Sequence, residues 1–183
     1  MQKELDHYLE KARALHGGVC AGIVMGTRIA LAGMRELGMD PDKRNRDLIV
    51  FVEIDRCMTD AAQAVTGATL GRRTLKYVNH GKFAATFLDL KTGRAVRIAR
   101  RDVEFRKDED MKEYFRNVPE DELIELEEVE VELSDLDLPG FPQRTDECRQ
   151  CGELIFDGRG VNRKDTLLCR HCADGSYYKR KVG

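Results

Sequence analysis

The sequence lacks any apolar run long enough to cross a bilayer. Its longest, residues 19–34, is interrupted by Arg28 and falls short of the roughly 20 residues that a spanning helix needs. An apolar leader is missing too, because residues 1–15 carry Lys3, Glu4, Asp6, Glu10, Lys11 and Arg13 where such a segment requires hydrophobic side chains. A cytoplasmic location is the expectation. Proline is scarce, at 4, and glycine stands at 16 of 183 residues, which sets aside collagen-like and low-complexity disordered classes. Net charge is also close to absent, since 31 Lys+Arg face 33 Asp+Glu. What remains is a globular protein with room for one ordinary domain and an appendage.

Charge of one sign is missing locally as well. Residues 61–100 hold eight basic side chains and a single acid, Asp89, whereas residues 120–137 hold ten acids and no base. A basic stretch alone can mark a nucleic-acid partner. A strongly acidic neighbour works against phosphate binding, so the two segments are expected to neutralise one another within a fold or across a contact between protomers. Neither nucleic acid nor membrane is an expected partner.

Leu5, Tyr8, Leu9, Ala12 and Leu15 recur at helical spacing and predict a helix over 2–15, stopped by His16-Gly17-Gly18. A second helix, 20–37, carries Gly22, Gly26, Ala30 and Gly33 in a row of small side chains. Each interior glycine costs about 1 kcal/mol against alanine, so this helix is expected to be tightly packed. Residues 48–54 read as a strand buried on both faces, running into Asp55-Arg56-Cys57-Met58-Thr59-Asp60 and a helix over 61–65. A hairpin is expected from 73–78 and 82–89 around Asn79-His80-Gly81, then a strand over 95–99. A helix over 108–126, interrupted at Pro119, and a strand in which Val129, Val131 and Leu133 alternate with glutamates complete the pattern. Pro139-Gly140-Phe141-Pro142 marks a linker, giving domains 1–143 and 144–183.

Six cysteines in a reducing compartment point to thiols or metal ligands. Cys148-x2-Cys151 and Cys169-x2-Cys172 supply four soft donors, the set tetrahedral zinc prefers in closed structural sites. The forty residues after the linker are too few to fold without such help. His171 lies inside the second pair and is read as a bystander. The surroundings of these cysteines resemble treble-clef fingers of the DksA/TraR type, in which the first pair sits on a knuckle and the second at a helix start.

Cys20 and Cys57 are left. They are either small buried hydrophobes or, with His16 four residues before Cys20, an open metal site or a thiolate activated by imidazole. In the second case Cys57 and His16 are the candidate catalytic thiolate and base, and Asp60, Asp55 or His80 can complete a ligand shell.

His16-Gly17-x-x-Cys20-x-Gly22, the stretch Val52-Glu53-Ile54-Asp55-Arg56-Cys57-x-x-Asp60-Ala61-x-Gln63-x-Val65-Thr66-Gly67 and Leu70-Gly71-Arg72-Arg73-Thr74-Leu75 resemble the FmdE family, named after one component of molybdenum formylmethanofuran dehydrogenase. The resemblance implies an α+β core of helices on a mainly antiparallel sheet, followed by the small zinc finger. It also implies a homodimer with a cleft lined by the His and Cys motifs, where His16, Cys20 and Cys57 hold a second transition metal beside the finger's structural Zn2+. Many members have a second histidine where this chain has Gly18. In the family's setting the implied role is accessory to one-carbon metabolism of the formylmethanofuran type, or to molybdenum or tungsten metabolism, with protein partners from those pathways. Dehydrogenation by this chain alone is not expected, because no core motif holds the pterin cofactor or electron carriers that it needs. The alternative is a regulatory zinc-finger protein that binds nucleic acid or another protein.

Overall fold

A computed structural model describes residues 2–102, 110–179 and 181. The chain divides into two compact units, 1–132 and 133–183. The division precedes the linker at 139–142 because a short 3-10 turn, Asp135–Asp137, is tied to the second unit. Arg159 donates to Asp137 at 2.8 Å, and Leu136 lies so close to Gly158 that a side chain there would meet it.

The first unit opens with α1 (Gln2–His16) and α2 (Ala21–Glu36), followed by β1 (Leu48–Val52), α3 (Cys57–Thr66), β2 (Leu75–Tyr77), β3 (Ala84–Asp89) and β4 (Ala95–Arg100). It closes with α4 (Met111–Asn117), α5 (Glu120–Leu123) and β5 (Ile124–Val129). The strands form one sheet in the order β2-β1-β3-β4-β5, in which only β1 and β2 are parallel. Register explains the core. Val50 pairs with Phe87 and Phe87 with Val96, while Val52 pairs with Ala85 and Ala85 with Ile98, so one face is apolar across three strands. That face joins the helices in a single buried cluster.

The expected hairpin of 73–78 with 82–89 is not formed. β2 and β3 lie on opposite sides of β1, because α3 carries the chain over to a parallel partner. Asn79-His80-Gly81 then wraps the end of β1: the amides of His80 and Lys82 both donate to the Glu53 carbonyl, and Glu53 N–H donates to Ala84. The helix expected over 108–126 is split at Val118-Pro119 and ends at Leu123. Its first two residues lie outside those described. From Ile124 the chain is strand, ending at Val129, before the alternation at 131 and 133. Pairing with β4 wins there, because Ile124 and Leu123 are buried while the glutamates face out.

The close approach expected of the glycine-bearing helix is present. A Cβ on Gly26 would stand 2.7 Å from the Met58 Cα of α3, and one on Gly33 would stand 2.3 Å from the Phe87 ring of β3. α2 therefore lies directly against both a helix and the sheet.

The basic and acidic segments meet within the first unit. In the register of β4 with β5, Arg97 stands opposite Glu127, and Arg94 pairs with Glu128 at 3.3 Å. Arg97 also reaches Glu53 through two hydrogen bonds of 2.7 and 2.9 Å, and His80 approaches the same carboxylate at 3.5 Å. With only 7% of its side chain exposed, Glu53 depends on this partner. The Arg97 hydrogen bonds hold its carboxyl below the usual carboxylate range against the opposing effect of burial. A depressed carboxylate pKa adds stability above its unfolded value, and that stability is lost as pH falls through the folded value. Glu53→Gln is therefore expected to lower stability by about 1–3 kcal/mol at neutral pH, with the gap to wild type closing in acid. Chemical denaturation across pH 3–7 measures this, and a gap that does not change with pH would show that the charge contributes nothing.

Candidate metal centres

The core centre is assembled by three helix ends. His16 is the last residue of α1, Cys20 is the N-cap of α2, and Cys57 is the first residue of α3. Gly17, at φ +89, lets the chain reverse between the first two. The candidate donor atoms of His16, Cys20 and Cys57 all lie within 4.8 Å of one another, and each residue is half-buried. Gly22 forms the floor: a Cβ there would stand 3.0 Å from the Cys57 Cβ, 3.5 Å from its sulfur and 3.6 Å from the Cys20 sulfur.

Asp60, one turn along α3 from Cys57, meets the His16 Nδ1 at 2.8 Å. It does not belong to the donor cluster but orients the ring, which leaves Nε2 as the nitrogen available to a metal, the usual division of labour behind a ligating histidine. That hydrogen bond is the main cause of a raised His16 pKa, with the neighbouring Cys20 adding to it against burial. At Cys20, burial pushes the thiol up. The amides of Ile23 and Gly22, the Cys57 thiol and the His16 charge outweigh it, so Cys20 lies below its ordinary value. Cys57 moves the other way, raised by burial and then by Cys20. The pair thus carries one negative charge, centred on Cys20, so the thiolate character expected at Cys57 falls to its neighbour. Asp55 and His80 stand elsewhere: Asp55 acts on Tyr77 and His80 on Glu53.

Two thiolates and an imidazole are a recognised three-ligand set for zinc with a position left for water or substrate. The donor chemistry fits a transition metal. The small-hydrophobe reading of Cys20 and Cys57 fits less well, because neither is fully buried.

The second centre belongs to residues 133–183. β6 (Thr145–Glu147) pairs antiparallel with β7 (Leu154–Phe156), and Cys148 and Cys151 occupy the knuckle between them. Gly152 N–H donates to the Cys148 carbonyl at 2.9 Å, and Gly152 adopts φ +75. β8 (Val161–Arg163) and β9 (Thr166–Leu168) form a hairpin that delivers Cys169 to the N-cap of α6 (Arg170–Asp174), which contains Cys172. Knuckle, hairpin and helix make a treble clef. The four sulfurs cluster within 4.8 Å, and Cys151 and Cys169 are 3.9 Å apart. Tetrahedral zinc with bonds of about 2.3 Å separates its sulfurs by about 3.8 Å.

Electrostatics favours a cation here. The amides of Cys169 and Cys151 hold Cys148 down at about 6, whereas burial and the other three sulfurs push Cys172 up to about 12. Four thiolates at this spacing repel one another unless a cation sits among them. His171 is outside the set and stacks on Tyr178, with ring centroids 5.5 Å apart. The cluster is compatible with a metal such as zinc.

The sequence reading missed the roles of Glu53 and Gly22. Glu53 carried a signal, being a carboxylate at the end of an otherwise apolar strand, which demands a buried cation. Gly22 had none beyond its place in the glycine row.

Comparison with known proteins agrees with this geometry. Residues 15–138 match the family model described as FmdE, molybdenum formylmethanofuran dehydrogenase operon. A solved structure, that of an FmdE-like protein of tungsten formylmethanofuran dehydrogenase from Syntrophus aciditrophicus, superposes with a TM-score of 0.65 at 25% identity. That match covers 96% of this chain and 95% of the other. A protein of Archaeoglobus fulgidus named "Probable S-adenosyl-L-methionine-binding protein" is 30% identical over 97% of this chain, which spans 55% of that relative's length. Among the described residues no helix is long and apolar enough to cross a membrane. With more than half of its length matched to the family model, and with an α+β core and cysteine finger to match, this chain belongs to the FmdE family.

Proposed function

We propose that this chain is an accessory metal-handling protein of one-carbon metabolism of the formylmethanofuran type, or of molybdenum or tungsten metabolism, working as a cytoplasmic homodimer. His16, Cys20 and Cys57 bind a transition metal with an open position, and the finger binds Zn2+ in a structural role. One observation carries the reading: the three core donors converge within 4.8 Å, with Asp60 behind the imidazole. A metal there supplies a Lewis acid at near-neutral pH. The chain's own contribution is to hold two sulfurs and a nitrogen on three helix ends, fix the imidazole tautomer through Asp60, and keep one thiolate ready through the amides of α2. The pathway assignment is supported by the family and by the name of the structural neighbour. Nothing in the core provides for pterin or electron carriers, so dehydrogenation by the chain alone is not proposed.

Elemental analysis of the purified chain tests the core centre. Wild type is expected to hold two metal ions, and Cys57→Ser one. With cobalt substituted, thiolate-to-metal absorption is expected to fall to the intensity of a four-sulfur finger alone in Cys57→Ser. A wild type that binds one ion per chain, unchanged in Cys57→Ser, would remove the core centre.

A second reading, binding of S-adenosyl-L-methionine, is favoured by the 30% identity with the relative of that description. It predicts saturable calorimetric binding that Cys57→Ser preserves.

A further inference from the structure

The two core cysteines have a chemistry of their own besides ligation. Their sulfurs lie within 4.8 Å of each other and both residues are half-buried, so a small oxidant can reach them. A disulfide needs the sulfurs at about 2.05 Å with Cβ atoms about 3.5–4.5 Å apart. Side-chain rotation can supply such a change, since Cys20 and Cys57 stand at helix starts, where no preceding turn of their own helix blocks χ1. The third wall of the space between them is Gly22, whose missing side chain would otherwise lie 3.5–3.6 Å from both sulfurs. The finger cysteines differ, being four sulfurs in one closed cluster.

We propose that Cys20 and Cys57 form a peroxide-responsive dithiol that closes to a disulfide and thereby withdraws two of the three donors from the core centre. The metal-release part rests on the functional reading above, and the disulfide part does not. In the first step a cysteine sulfur attacks hydrogen peroxide, breaking the O–O bond to give a sulfenic acid and water. In the second, the partner thiol attacks that sulfenic sulfur, the S–S bond forms, the S–O bond breaks, and a second water leaves with the thiol proton. Two thiols are oxidised, and one peroxide is reduced to two waters. A thiol reductant of the cell reverses the change by exchange. The centre then holds metal when reduced and releases it when oxidised.

The test is peptide mapping of the intact chain after a stoichiometric pulse of hydrogen peroxide. Trypsin releases Cys20 within 14–28 and Cys57 within 57–72. The expected product is these two peptides joined, two hydrogens lighter than their sum, accounting for most of the Cys20 peptide and disappearing with dithiothreitol. Cys20 or Cys57 recovered singly as sulfinic acid, or joined to finger cysteines, would overturn the proposal. A chromogenic chelator reads metal in parallel, with Cys57→Ser reporting release from the finger alone. One extra ion released per disulfide supports the switch. A disulfide with no extra ion overturns the metal coupling and, where the untreated chain also holds a single ion, the core-centre reading with it. Two ions held and no disulfide overturns the dithiol and leaves the core centre standing.

Discussion

Cys169→Ser is expected to unfold residues 133–183 while residues 1–132 remain folded. The second unit has almost no core of its own. Of the buried hydrophobic residues described, only Cys148 and Ile155 belong to it, whereas Phe141, Leu154, Phe156 and Tyr177 are exposed, Tyr177 completely. Burial of one isoleucine contributes about 1.5–3 kcal/mol, and ordering each residue costs about 1–2 kcal/mol, so apolar packing cannot hold some fifty residues in one conformation. Structural zinc contributes about 10–16 kcal/mol in modules of this size, and that energy is folding energy. Cys169 is both a donor and the N-cap of α6, and its N–H donates to the Cys148 sulfur at 3.2 Å, so its loss uncouples hairpin, knuckle and helix together. Limited proteolysis is expected to remove the second unit from Cys169→Ser, and from wild type treated with a strong chelator, while leaving a stable fragment close to 1–132. A variant whose tail resists protease as well as wild type would show that the four sulfurs are dispensable.

The finger was readable from sequence because its chemistry is local. Two C-x2-C pairs bring their own sulfurs together, and the knuckle and helix start follow from the residues beside them. The core centre was only half readable. His16 and Cys20 are neighbours in sequence, but Cys57 reaches them only because α3 packs against α1 and α2, and that follows from the whole sheet. The partner of His16 is the clearest case. Asp60 was one of three acids or histidines within range of the motif, and spacing could not distinguish a ligand from a residue that orients one. Strand pairing failed at β2 for a related reason. Asn79-His80-Gly81 has the composition of a hairpin turn, but Leu75 finds a better place beside Val50 of β1, a preference set by burial against α3 rather than by turn chemistry. The buried pair of Glu53 with Arg97 spans 44 residues and crosses β3, which no local pattern encodes.

Gly26→Ala is expected to damage the core centre without touching a donor. The added Cβ would stand 2.7 Å from the Met58 Cα and 2.9 Å from the Ala61 Cβ, and a backbone atom cannot rotate aside as a side chain end can. α2 and α3 must move apart by several tenths of an ångström, at a cost of about 1–3 kcal/mol for an overpacked site. Met58 follows Cys57 directly, and Gly26 lies one turn along α2 from Gly22, so the displacement is delivered to the two helix starts that carry the sulfurs. Metal sites respond to shifts of this size, since productive ligand geometry tolerates only about 0.5 Å. Gly33→Ala separates this effect from simple destabilisation. Its Cβ would strike the Phe87 ring at 2.3 Å, an equally tight contact on the same helix, two turns farther from the sulfurs and against the sheet rather than α3. Both variants are expected to lose stability in denaturant titrations, but only Gly26→Ala should lose core metal affinity, by tenfold or more in competition with a chromogenic chelator. Equal loss of metal in both would mean that the centre depends on global stability alone. Loss in neither would mean that the spacing of α2 and α3 does not set the distance between Cys20 and Cys57.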